Sequence, residues 1–197
     1  MEILKELNVE KLNIVEPDGT VKMTLFNTKN MPKVFFDGEE VFKGHRQDDN
    51  TAGLMFYDEN GVECGGLIFG GKNGVHSMGL TMDKQNIDQV LQIASVETPQ
   101  GHKYGIKLSQ RPDKNFRQYE EELNLLETLP AEEAEKLAKQ INIEHATRLS
   151  ILHEETGKVG ITIFDSKGIE RIVLAVDEND VPSIKIMNER GDVVKQL

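Results

Sequence analysis

Five short turn sequences divide this chain into apolar segments. Each begins with Glu, Asp or Asn and reaches Gly three positions later, at residues 16–19, 58–61, 154–157, 165–168 and 188–191. An acidic or amide residue first, an occasional Pro second and Gly fourth suit a type I turn whose last residue takes positive φ. Such turns join neighbouring strands in hairpins with loops of three or four residues. They therefore predict a chain of antiparallel hairpins.

The segments between these turns alternate apolar and polar residues, as the strands of a half-buried sheet do. The alternation is clearest in Lys103-Tyr104-Gly105-Ile106-Lys107-Leu108. We predict strands at 11–16, 20–27, 53–58, 62–70, 75–83, 89–97, 103–110, 147–153, 158–164, 170–176, 183–187 and 192–196. The segment 27–50 contains Pro32, Gly38 and Gly44 and is predicted to be a long loop with one short strand at 33–36.

The hydrophobic period changes between the two groups of strands. Phe116, Tyr119, Leu123 and Leu126 are spaced three and four apart, which places them on one face of a helix at 115–128. A second helix, at 131–140, is predicted after Pro130, with acidic residues near its start. The predicted fold is mainly β: one domain, 1–197, forming an antiparallel meander of hairpins closed as a barrel or stacked as a sandwich, with a two-helix insert at about 114–141. Residues 53–63 can be aligned with 160–170, and both duplication and convergence on one hairpin design explain the similarity.

The composition restricts the compartment and the partners. The chain has 34 acidic against 23 basic residues, a net charge of −11, and its Lys and Arg residues are scattered. Because affinity for nucleic acids and anionic membranes begins with clustered cations, neither is an expected partner. The single cysteine, Cys64, excludes an internal disulfide, and the sequence shows neither a secretion signal nor an apolar run long enough to cross a bilayer. We expect a cytoplasmic protein.

The densest polar cluster, His45-Arg46-Gln47-Asp48-Asp49, lies in the irregular segment. Binding residues are often carried by loops, so His45, Arg46 and Asp48 are the candidate ligand-binding residues, with a solvated loop as the competing interpretation. The histidines lack the spacing of a zinc site, and we expect no metal and no cofactor. Cys64 follows Glu63 and precedes two glycines; it is either a reactive thiol or an incidental strand residue.

Several phrases resemble a family of small, uncharacterised bacterial proteins rich in β structure. They are Asn13-Ile14-Val15-Glu16-Pro17-Asp18-Gly19-Thr20, Ala52-Gly53-Leu54-Met55-Phe56-Tyr57-Asp58, Gly65-Gly66-Leu67-Ile68-Phe69-Gly70-Gly71 and Asp177-Glu178-Asn179-Asp180-Val181-Pro182-Ser183-Ile184. The resemblance implies a bacterial cytosolic origin. The resemblance implies no particular activity and no catalytic residue.

A meander leaves two edge strands, and edges must be closed, covered or paired. Pairing between copies predicts a homo-oligomer, a dimer or a trimer, and the function we expect is that of a non-catalytic binding or structural protein, with an unidentified small molecule or protein as partner. One alternative is a carrier for a small apolar ligand inside a barrel lined by Phe56, Ile68, Leu80, Ile93 and Ile106. The other is a hydrolase in which the fold brings carboxylates or His45 together.

Overall fold

The computed structural model describes residues 4–46 and 50–197, and its fold is mainly β. The first half contains β1 (Lys11–Val15), β2 (Val21–Phe26), β3 (Val34–Phe36), β4 (Glu39–Val41), β5 (Thr51–Tyr57), β6 (Glu63–Lys72), β7 (Val75–Asp83), β8 (Gln89–Thr98) and β9 (Gly101–Ser109). Two helices follow, α1 (Phe116–Thr128) and α2 (Ala131–Glu144). The second half contains β10 (Thr147–His153), β11 (Val159–Phe164), β12 (Glu170–Val176), β13 (Pro182–Met187) and β14 (Val193–Gln196).

All five predicted turns are confirmed. In each, the amide of the closing glycine donates to the carbonyl of the first residue, at 2.9 Å in the 16–19 turn and 3.2 Å in the 58–61 turn. The closing glycines have φ between 74° and 94°, a region that L-residues with side chains rarely adopt. Asp58 and Asp165 also accept hydrogen bonds from amides two and four residues on, which fixes the loop locally.

Twelve of the described strands form one antiparallel sheet in the order β1-β2-β5-β6-β7-β8-β9-β10-β11-β12-β13-β14. The predicted meander is therefore confirmed, but its closure is not. The sheet is open, with β1 and β14 as end strands that each have one neighbour, and it does not split into two stacked layers. The strands β3 and β4 pair with each other in a separate hairpin.

The two-helix insert is confirmed, and α2 extends four residues past its predicted end at Gln140. The start of α1 is fixed by a capping box, in which Asn115 and Gln118 each accept a hydrogen bond from the other's amide at 3.0 Å. The strands on either side of the insert, β9 and β10, pair directly, so the two β halves belong to one continuous sheet. Neither helix in the described part of the chain is long and apolar enough to cross a membrane.

The segment predicted to be a long loop holds a second strand, β4, which sequence analysis missed. Asp37 and Gly38 both take positive φ, at 51° and 76°, the backbone of a two-residue hairpin turn. The hairpin buries Val34 and Val41 against Val62 and Phe116. This small core joins the hairpin to the start of α1.

Candidate functional site

The two faces of the large sheet differ sharply in composition. Because successive side chains alternate between faces and paired residues share a face, the register assigns every strand residue to one side. On one side, each of the first eleven strands of the sheet contributes a leucine or isoleucine to one unbroken row. The row is Leu12, Leu25, Leu54, Leu67, Leu80, Ile93, Ile106, Ile151, Ile161, Leu174 and Ile184. Leu197, just past β14, continues it by exchanging two 3.0 Å backbone hydrogen bonds with Ile184.

Two further rows flank the central one on the same side. The first is Ile14, Met23, Phe56, Gly65, Met82, Leu91, Leu108, Leu149, Ile163, Ile172 and Ile186. The second is Ala52, Phe69, Met78, Ser95, Tyr104, His153, Val159, Val176 and Pro182. The first of these rows ends at Lys195 on β14, which pairs with Ile186, and no other residue of the three rows is Asp, Glu, Lys or Arg. We call this surface the apolar face.

The apolar face is not covered by any described part of the chain. Its side chains are extensively exposed, for example 53% for Phe69, 44% for Ile93 and 48% for Leu174. The buried side chains of the large sheet, among them those of Thr24, Met55, Ser150 and Val173, lie on the other side, which we call the opposite face. Soluble monomers rarely expose contiguous apolar patches larger than a few hundred Å², so this face is the strongest functional feature of the molecule.

Sequence analysis missed this face, although a signal for it exists. Leu54, Leu67, Leu80, Ile93 and Ile106 are each 13 residues apart. In hairpins of equal length this spacing puts one aliphatic residue per strand on the same rung. The 13-residue spacing can be recognised as a shared face only when the positions of the turns are combined with the register of strand pairing.

The middle of the apolar face is concave, forming a groove of about 440 Å³ between β6 and β9. Of the five residues proposed to line a barrel, Leu80, Ile93 and Ile106 line this groove. Phe56 lies elsewhere on the same face, and Ile68 lies on the opposite face. The open sheet therefore replaces the proposed enclosed cavity with an open groove.

Ser95 and His102 meet at the rim of this groove, with Ser95 Oγ 2.7 Å from His102 Nε2. The pair has the spacing of a nucleophile and its base. Both residues lie within strands of the sheet, Ser95 on β8 and His102 on β9. Tyr104 packs between His102 and His153, at ring distances of 4.8 and 4.7 Å. The arrangement is that of an aromatic cluster on the apolar face.

The predicted loop site is only partly described, since Asp48 lies outside the described residues. His45 is exposed, with its ring 6.2 Å from that of Phe42. Arg46 does not face solvent: its guanidinium forms a two-pronged ion pair with Glu63, at 2.8 and 2.9 Å, and also donates to the Pro32 carbonyl. The side chains of Arg46 and Glu63 are only 15% and 8% exposed, so Arg46 anchors the loop to the sheet.

The Arg46–Glu63 pair belongs to a buried charged cluster on the opposite face. Burial, together with the carboxylates of Glu63 and Asp88, raises the pKa of Asp83 to about 7. Burial opposes the charge of Arg46, but the hydrogen bond and charge of Glu63 outweigh it and raise the pKa of Arg46. One carboxyl oxygen of Asp83 is buried and has no hydrogen-bond partner among the described residues. The cluster ties the loop to the sheet and holds one carboxyl that is readily protonated.

The other candidate residue, Cys64, lies on β6, partly buried. Burial and the nearby carboxylate of Asp58 raise the pKa of its thiol, which disfavours the reactive thiolate. No group of three or more His, Cys, Asp or Glu side chains placed to hold a metal ion occurs within residues 4–46 and 50–197.

No model of a protein family matches this chain, and no curated protein matches it at a significant level. The resemblance to small bacterial β-rich proteins therefore stays a prediction.

Proposed function

We propose that this protein is a non-catalytic structural or binding protein that works as a homo-oligomer, with copies packed apolar face against apolar face. The observation that carries the proposal is the central row of leucine and isoleucine residues, which crosses the sheet without a break. A second copy is the occupant that this face fits best, because an apolar surface with almost no charged groups is complementary to itself, as a two-fold interface requires.

The area supports a stable contact. With strands about 4.8 Å apart and alternate residues about 6.8 Å apart along a strand, twelve strands and three rows present about 1,000 Å² of surface. Two such faces together bury about 2,000 Å², the upper end of standard interfaces and the lower end of obligate homodimers. Sheets that pack face to face lie about 10 Å apart, so the pair of copies would form the sandwich that one chain does not.

Sedimentation equilibrium of the purified full chain tests the proposal. A mass of two or more times 22.2 kDa that persists down to low micromolar protein concentration supports the proposal. A mass of one chain at all concentrations contradicts it. Association through an apolar face strengthens in sulfate and is little affected by sodium chloride, which separates it from association through charged groups.

A second candidate rests on the groove at the centre of the apolar face. A groove of about 440 Å³ with mostly apolar walls has the size of a small-molecule site. In this alternative the protein carries a small apolar ligand. Native mass spectrometry distinguishes the two: a single chain with retained ligand supports a carrier, whereas ligand-free multimers support the structural role.

A further inference from the structure

A second pocket lies on the opposite face, between β1, β2 and the segment that leads to β3. Its volume is about 440 Å³. Its lining includes Lys11, Asn13, Thr24, Lys29, Lys33 and Tyr57. Three lysines and no acidic residue line it, in a chain whose acids outnumber its bases by 34 to 23. We propose that this pocket binds a small organic anion through its oxygen atoms, a phosphate ester or a polycarboxylate.

The floor of the pocket is polar and built into the sheet. Thr24, only 2% exposed, donates from its hydroxyl to the Asn13 side-chain oxygen at 2.9 Å. Tyr57 contacts Thr24 through a side-chain hydrogen bond, and burial raises the pKa of its phenol to about 12, so the phenol stays protonated. Because the Thr24 hydroxyl proton goes to Asn13 and the phenol is hydrogen-bonded to Thr24, the donor that the floor offers an oxyanion is the side-chain amide of Asn13.

The walls supply the charge. Lys33 is held by Glu40 at 2.7 Å, whereas Lys11 and Lys29 form no ion pair with any described residue. Both are exposed and line the pocket from different segments, Lys11 from β1 and Lys29 from the loop after β2. Two ammonium groups without an ion pair to any described residue, contributed by two different segments, favour a ligand with more than one negative charge.

The rest of the wall is apolar. Phe35 exposes 47% of its surface beside the buried Pro32. The carbonyl of Pro32 accepts a 3.1 Å hydrogen bond from Arg46, which is fixed by Glu63, so this wall is anchored to the sheet. A rigid apolar wall beside cationic groups suits the carbon skeleton of an organic anion better than a bare inorganic ion.

The pocket is independent of the proposed association, because it opens on the other side of the sheet from the apolar face. An amide-proton NMR titration of the isotope-labelled full chain with pyrophosphate, and separately with citrate, tests the inference. Saturable shifts at Lys29, Asn30 and Tyr57 with either probe support it, and the tighter probe names the class of anion. Shifts that grow linearly without saturating, or that spread evenly over all basic residues, overturn it.

Variants sharpen the test. Lys11→Gln and Lys29→Gln each weaken binding about tenfold or more, the loss expected for one charge-assisted contact. Lys107→Gln, an exposed lysine on the same face at β9, is the matched control and leaves binding unchanged. Equal weakening by all three substitutions would show general charge attraction and overturn the site. The three variants should keep the same oligomeric mass, so a failure here leaves the association through the apolar face untouched.

Discussion

A charge placed at the centre of the apolar face should break the association. Ile93 lies in the central row on β8, the sixth of the twelve strands in the sheet. Its side chain is 44% exposed in the single chain, between Leu80 and Ile106 on the neighbouring strands. Ile93→Glu therefore needs no rearrangement of the isolated sheet, but it puts a carboxylate into any interface formed there.

The magnitude follows from the desolvation of that carboxylate. Taking an unpaired charge out of water costs several kcal/mol after relaxation. The one cation of the three rows, Lys195, lies on the end strand β14, six strands away from Ile93, and a two-fold interface contains the substitution twice. A loss of about 3 kcal/mol or more in association free energy weakens Kd by at least about a hundredfold.

The same strand offers a matched control. Val96 is also β-branched and is 38% exposed, but it points to the opposite face. Val96→Glu adds the same charge to the same strand, and we expect the wild-type mass to be retained. Sedimentation equilibrium over a concentration series measures both variants, and circular dichroism checks that each keeps its β structure. Equal behaviour of the two folded variants, whether both associate or both dissociate, would refute the assignment of the interface to the apolar face.

Three further predictions concern the opposite face. Arg46→Met leaves Glu63 buried without its partner, and urea denaturation should show a loss of about 3–5 kcal/mol, with much of it recovered when Glu63 is also replaced by Met. Asp83 binds its proton up to about pH 7 in the folded chain but only up to about pH 4 in the unfolded chain, so the free energy of unfolding should fall as the pH rises from 4 to 7. Asp83→Asn should flatten that fall and raise the free energy of unfolding at pH 8 by about 1–3 kcal/mol. An unchanged pH profile would contradict the burial of this carboxyl. Gly105→Ala should destabilise by about 2 kcal/mol or more, because its methyl would overlap the backbone of β10, whereas Gly79→Ala, where the nearest atom is 3.8 Å away, should be close to neutral in thermal melts.

The hairpin order was predictable from the sequence because its cause is local. A turn such as Asp58–Gly61 fixes its own backbone through the Asp58 side chain and the positive φ of Gly61. The one missed strand, β4, also follows a local signal, Asp37-Gly38, which sequence analysis took as the end of a strand rather than the middle of a hairpin.

The open sheet and the candidate sites were not predictable in the same way, because they depend on contacts between distant residues. The ion pair of Arg46 with Glu63 crosses 17 positions, and no local sequence pattern indicates it. Likewise, the lysines of the anion pocket, Lys11 and Lys29, meet only because the segment after β2 folds back over the sheet.

The distribution of the non-sheet segments supports the proposed pairing of apolar faces between copies. The β3–β4 hairpin and its loop are tied to the opposite face through Arg46 and Glu63. The end of α2 borders the same face, where His145 and Ala146 share a pocket with Lys107 and Ser150. The β3–β4 hairpin and the end of α2 thus both lie on the opposite face, and no described segment covers the apolar face. Burying an apolar face of this size lowers the free energy, so the cover that we propose is a second copy, whose identical face is present wherever the protein is made.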